Sequence, residues 1–155
     1  MSSTYWDWAV AVHGRDGVDQ ALTDIQDTHG QSVAYLLWAA WAAAQGRVLE
    51  AVLLEQGAAI AHHWEVAATG PLRLARRKLK DPAPPIDEEA RLALREQVRK
   101  AEFAAERLLM ETLEALAPAP GPVAGDIARA LDAASNVWGQ AAPSPVLDDL
   151  AAKLG

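Results

Sequence analysis

The chain has no cysteine, and that absence removes disulfide frameworks, thiol nucleophiles and thiolate metal sites in one step. Long hydrophobic runs are also missing. The longest, Val33 to Ala44, is twelve residues, whereas crossing a bilayer takes roughly 20, so no membrane span is expected and a buried core helix accounts for the run. The first fourteen residues contain no Lys or Arg, and Asp7 interrupts them. The positive start and apolar core of a secretory signal are both lacking, which points to a cytoplasmic location. Basic charge is short as well: 14 Lys and Arg stand against 21 Asp and Glu, a formal net charge of −7. Such a chain repels phosphate backbones, so nucleic acid is not an expected partner.

Strand patterning is scarce too. β-Branched residues are scattered, no sustained stretch alternates with a period of two, and Ala, Leu, Glu and Arg dominate. The expected class is therefore all-α, a compact helical bundle. At 155 residues the chain is close to the modal size of one domain and can bury a real core.

Caps and breakers divide the sequence. A first helix runs from about Ser3 to His13, with Ser2, Ser3 or Thr4 as cap and Gly14 as stop. Asp16 is the expected cap of a second helix, which has the stripe Val18, Ala21, Leu22, Ile25 and ends at Gly30. The third, about Gln31 to Gln45, is apolar nearly all round, the pattern of a central helix surrounded by others. A fourth covers about Leu49 to Thr69, and Gly70-Pro71 is expected to break it before a short cationic helix, Leu72 to Lys80. Beyond Pro82, Pro84 and Pro85, the spacing of Leu94, Val98, Ala101, Ala105 and Leu108 predicts a coiled-coil-like seam on one long helix, about 87–116. Pro118, Pro120, Gly121 and Pro122 form a second linker. These breaks suggest a core domain, 1–116, and a Pro-linked helical tail, 117–155; both docking on the core and independent motion of the tail remain open.

One group of residues has a wider likeness. Leu22, Gln26, Asp27, His29, Gly30, Val33, Leu36, Leu37 and Trp41, with the aromatic start Tyr5-Trp6-Asp7, resemble an uncharacterised bacterial family defined by a domain of unknown function. Trp64, Pro71-Leu72-Arg73, Arg76-Arg77, Leu79, Glu102 and Glu106 extend the resemblance over about residues 4 to 110. It implies membership and no catalytic role.

Motifs that carry chemistry are few. There is no Gly-x-Ser-x-Gly elbow, no Gly-x-x-x-x-Gly-Lys loop and no dinucleotide-binding glycine pattern. His62 and His63 are consecutive and point about 100° apart on a helix, so they cannot easily share an ion. No His-Glu-x-x-His is present, and neither metal nor cofactor is expected. His29 continues the apolar stripe of the second helix, where it reads first as a partly buried structural residue satisfied by a neighbour; the functional reading makes it, with Gln26 and Asp27, part of a ligand pocket. Asp27 lies near a helix carboxyl end, where the dipole disfavours an anion, so it calls for a cationic partner.

The cationic helix is the other polar feature. Leu72, Ala75 and Leu79 make one face while Arg73, Arg76, Arg77 and Lys80 fan across the next. That stripe is suited to holding an acidic partner through bidentate guanidinium contacts, or to pairing internally with Glu102 or Glu106. Trp supplies six of the nine aromatic residues. Trp6, Trp38, Trp41 and Trp64 are expected in the core, and Trp8 and Trp138 are free to lie elsewhere.

Two functions of different class follow. One is a non-catalytic interaction or regulatory protein that binds a protein partner through the cationic helix or the tail. The other is a small-molecule binder or enzyme with a pocket at Gln26, Asp27 and His29. A closed apolar cavity reached by those three side chains favours the second, and a solid core with an exposed apolar or cationic patch favours the first. Oligomeric state has no signature in the sequence.

Overall fold

A computed structural model describes residues 3–155. They form α1 (Tyr5–His13), α2 (Val18–His29), α3 (Val33–Ala44), α4 (Ala51–Trp64), α5 (Gly70–Lys78), α6 (Glu88–Leu116), α7 (Ile127–Trp138) and α8 (Ser144–Leu154). A π-helical turn, Glu65–Thr69, joins α4 to α5, and the described residues contain no strand. The all-α class follows directly.

Capping sets most boundaries. The Thr4 hydroxyl accepts from the Asp7 N–H at the start of α1, Ser32 does the same for Tyr35 at α3, and Asp87 for Ala90 at α6. Of the other suggested caps of α1, Ser3 is not used and Ser2 lies outside the described residues. Asp16 does not cap α2. Gly17 takes the N-cap position at φ 76° with no side-chain bond, a left-handed geometry that glycine adopts without a Cβ penalty. Gly30 ends α2 at φ 63° and donates to the Ile25 carbonyl.

The central apolar helix is α3, in which every residue from Tyr35 to Ala43 is buried. Trp41 stacks at a tilt on Tyr5, and Trp38 lies so close to α4 that a Cβ on Gly57 would come within 2.5 Å of its ring. Trp6 and Trp64 are only partly buried, each set against the edge of the core. Beyond Pro118 the chain returns to this core. Gly121 and Gly125 donate to the carbonyls of Gly46 and Ala43, and Leu131, Ala134, Leu147, Leu150 and Leu154 are buried with the residues of α1 to α3.

Gly70-Pro71 does not break the chain. The helix continues by widening to a π turn, with the Gly70 N–H reaching back to the Glu65 carbonyl. A Pro nitrogen cannot donate and its ring crowds the preceding turn, and the wider turn relieves both problems. Glycine is needed there because a Cβ at position 70 would sit 2.5 Å from that same carbonyl oxygen.

On α6 the buried side differs from the one its apolar spacing suggested. Leu94 and Leu108 are exposed, whereas Arg91, Glu102, Ala105, Leu109, Met110 and Leu113 are buried. The cause is the neighbour. α5 has no fully buried residue and presents guanidinium groups, so α6 turns charged residues toward it. Arg91 donates to the carbonyls of Leu79 and Lys80, completing the carboxyl end of α5, and Arg95 donates to the Arg76 carbonyl.

Candidate functional site

Where α2 faces the π turn and α5, the structure opens a cleft of about 750 Å³. The end of α2 supplies Gln26 and Asp27, the α2–α3 turn supplies Gly30 and Gln31, and α5 supplies Arg73 and Arg77. Glu65 and Thr69 enter from the π turn, Glu106 from α6, and His13 and Asp19 from the α1–α2 corner. Leu22, Leu37, Leu109 and Met110 add apolar wall, and Trp138 of α7 stands beside them.

Arg73 is the centre of this cleft. Its Nη1 donates to Glu65 at 2.8 Å, its Nε lies 3.6 Å from Glu102 and its Nη2 3.9 Å from Glu106. Gln26, with its amide oxygen turned toward Arg73, accepts from both terminal nitrogens at 3.3 and 3.1 Å. The second oxygen of Glu65 accepts from the Thr69 hydroxyl at 2.7 Å, so the π turn fixes the carboxylate that fixes the arginine. Arg76, which does not line the cleft, forms a close bidentate pair with the same Glu102. That hydrogen bond raises the Arg76 pKa against the opposing effect of burial.

Asp27 finds its cation in Arg77, 3.5 Å away on the cleft rim. His13 holds Asp19 through Nδ1 at 2.6 Å. Among the described residues Glu106 has a single ion-pair partner, Arg73 at 3.9 Å. Burial raises its pKa above the ordinary glutamate value, the charge of Glu102 adds to this, and Arg73 opposes it. Tyr5, wholly buried behind it, is pushed up by burial and then by the Glu106 charge. The set can bind polar groups, orient them and hold or release a proton. Among the described residues no group of three or more His, Asp or Glu is disposed to hold a metal ion.

The residues suggested by sequence are thus divided. Gln26, Asp27, Arg73 and Arg77 come together in one cleft, although they were read as two separate features. His29 is half-buried outside it, Arg76 is turned into its pair with Glu102, and Lys80 is exposed beyond the end of α5. The cleft is lined by polar and apolar side chains alike and is open at its rim, neither the closed apolar cavity nor the solid core weighed above. Sequence reasoning missed His13, Glu65, Thr69 and Gln31 as site residues. Only the Gly70-Pro71 pair hinted at an irregular helix there.

Among the described residues, no helix is long and apolar enough to cross a membrane. No curated protein and no solved structure matches the chain. Every residue that lines the cleft except Trp138 falls within residues 4–113. That segment matches the model of the proteins of unknown function DUF2390, and the chain belongs to this family.

Proposed function

We propose that the protein binds a small polar organic molecule in the cleft between α2, the π turn and α5. The observation that carries this reading is the convergence on Arg73: Gln26, Glu65, Glu102 and Glu106, drawn from three separate helical segments, surround one guanidinium at the cleft wall. Buried ion pairs contribute little net stability, and a well-packed apolar seam would serve the fold as well. A preorganised polar wall beside apolar residues is, in contrast, how ligand sites fix orientation. A π turn supplies two members of that wall, and such turns recur at functional sites.

The test is a small-molecule fragment screen on the full chain by ¹H–¹⁵N NMR. Binders should shift the resonances of Gln26, Asp27 and Arg73 together. Hits confined to other surfaces, or none at all, would defeat the reading.

A second reading, an interaction protein engaged through the cationic helix, rests on Arg77 and Lys80. Both are exposed, while Arg73 and Arg76 are engaged internally. Reversing Arg77 and Lys80 to Glu should abolish capture of a native partner with little change in stability, because exposed ion pairs are worth about 0–1 kcal/mol. Unchanged capture sinks it.

A further inference from the structure

The positions of α6 that repeat by four and three form a stripe that the rest of the chain leaves half uncovered. At about 100° per residue, Leu94, Val98, Ala101, Ala105, Leu108 and Thr112 fall within about 80° of one another around the helix. Ala105 is buried and Val98 half-buried along the inner edge, whereas Leu94, Ala101 and Leu108 are exposed along the outer one. No charged residue enters the stripe over about 27 Å of helix. A face of this kind, with coiled-coil spacing, is suited to cover by another helix.

A separate apolar feature lies at the carboxyl end of the stripe. Ile60, His63 and Trp64 of α4 stand across from Leu108 and Thr112 of α6, lining a groove of about 560 Å³. Trp64 is fixed there by its Nε1, which donates to the Ala105 carbonyl at 2.7 Å. The groove is thus a preformed socket at one end of a helix face whose other end carries an exposed leucine, Leu94.

We infer that α6 pairs antiparallel with α6 of a second copy of the chain, each Leu94 seating at the groove of the other copy. One register achieves this. Leu94 opposes Thr112, Val98 opposes Leu108 and Ala101 opposes Ala105 of the second copy, and each pair recurs with the copies exchanged, as a twofold axis near position 103 requires. A parallel pair would set groove against groove, with no side chain to fill either. At the outer rim the antiparallel register brings Glu111 near Gln97 of the second copy, whose amide can donate to the carboxylate, so no like charges are buried together. The face is about 27 Å long and nearly two helix diameters wide where α4 flanks it, which offers roughly 500 Å² per copy. That is about 1,000 Å² in total, the least a specific interface needs, and it sets a dissociation constant in the micromolar range. Leu94, Ala101 and Leu108 do not line the cleft, so this pairing and ligand binding in the cleft stand or fall separately.

Sedimentation equilibrium of the full chain between about 5 and 500 μM should show a reversible monomer–dimer equilibrium. Leu94→Asp and Leu108→Asp should each raise the dissociation constant at least about tenfold, because the pair would take an unpartnered carboxylate out of water. Both side chains are half exposed in the single chain, at 49 % and 54 %, so the variants should fold, with melting temperatures in dilute solution close to that of the parent. Val10→Asp, at an exposed position on α1 outside the stripe, should leave the equilibrium unchanged. Because the chain has no cysteine, introduced thiols read the direction of pairing: on oxidation, Leu94→Cys mixed with Thr112→Cys should form the mixed disulfide, and Leu94→Cys alone should link poorly to itself.

A chain that stays monomeric throughout overturns the inference, as does a dimer indifferent to both aspartates or a Leu94→Cys variant that links to itself faster than to Thr112→Cys. A monomer whose groove takes up the apolar dye ANS, with the signal lost in Leu108→Asp, would assign the groove to an apolar small molecule and likewise overturn the pairing.

Discussion

The surroundings of α3 and the seam between α5 and α6 solve the same problem, fastening one helix to its neighbours, with opposite chemistry. Around α3 the contact is dry: Tyr35 to Ala43 are buried, and their partners are Tyr5, Leu113, Leu131 and other apolar side chains. Between α5 and α6 it is charged, with Arg73 and Arg76 set against Glu102, and Arg91 against the carbonyl end of α5. Burial is non-directional and tolerates exchange of similar shapes, whereas ion pairs fix geometry with little net stability. The lesson is that the second region is organised to place charges, and the cleft lies beside it.

The largest expected effect breaks the dry side. Trp41 is wholly buried against Tyr5 and donates to the Ser3 carbonyl at 3.2 Å. Trp41→Ala should cost about 3–5 kcal/mol, read as a lower urea midpoint for the whole chain. Glu102→Ala attacks the charged side by leaving Arg73 and Arg76 without their shared carboxylate. The expected loss is about 2–3 kcal/mol, below that of a fully buried pair because the Arg76 side chain keeps 26 % of its exposure. A loss larger than that of Trp41→Ala would reverse the comparison.

Salt separates the two regions without mutation. At about 1 M salt, amide protection from hydrogen exchange should drop in α5 and the facing part of α6, and hold in α3, since ion pairs near solvent are screened and apolar burial is not. Equal loss in both regions would show that the charged seam contributes nothing of its own.

The smallest effect has an unusual sign. The carboxyl of Glu106 has a raised pKa in the folded chain, first through burial and then through Glu102. The native state therefore holds this proton more tightly than the unfolded chain does. Its contribution to stability is present in acid and lost as pH rises through the folded-state pKa. At neutral pH the ionised group is held at a cost, so Glu106→Gln should raise the melting temperature slightly, and the gain should vanish toward acid. A mutant less stable than the parent at neutral pH would mean that the contact with Arg73 outweighs the burial.

Much of the fold can be read from local chemistry. The apolar run of α3 needs only composition to be seen as central, and the caps Thr4 and Ser32 and the stop Gly30 act over three or four residues. The need of Asp27 for a cation likewise follows from the end of its own helix. The seam of α6 could not be read this way. Leu94 and Leu108 keep the correct spacing, but which side of a helix is buried depends on what lies opposite, and α5 is fifteen or more residues away in sequence and cationic.

The sequence by itself determined the helices, many of their ends and the central place of α3, because those depend on propensity, capping and burial summed over short windows; the cap of α2 and the continuation through Gly70-Pro71 were not among them. Tertiary structure decided the site. It brought Gln26 and Asp27 to Arg73 and Arg77, bound Arg76 to Glu102 outside the cleft lining, left His29 outside and supplied Glu65, Thr69 and Gln31. Side chains some fifty residues apart, as Asp27 and Arg77 are, meet only once the helices pack. Whether a charged group faces a partner or a cleft is a property of that packing rather than of its neighbours along the chain.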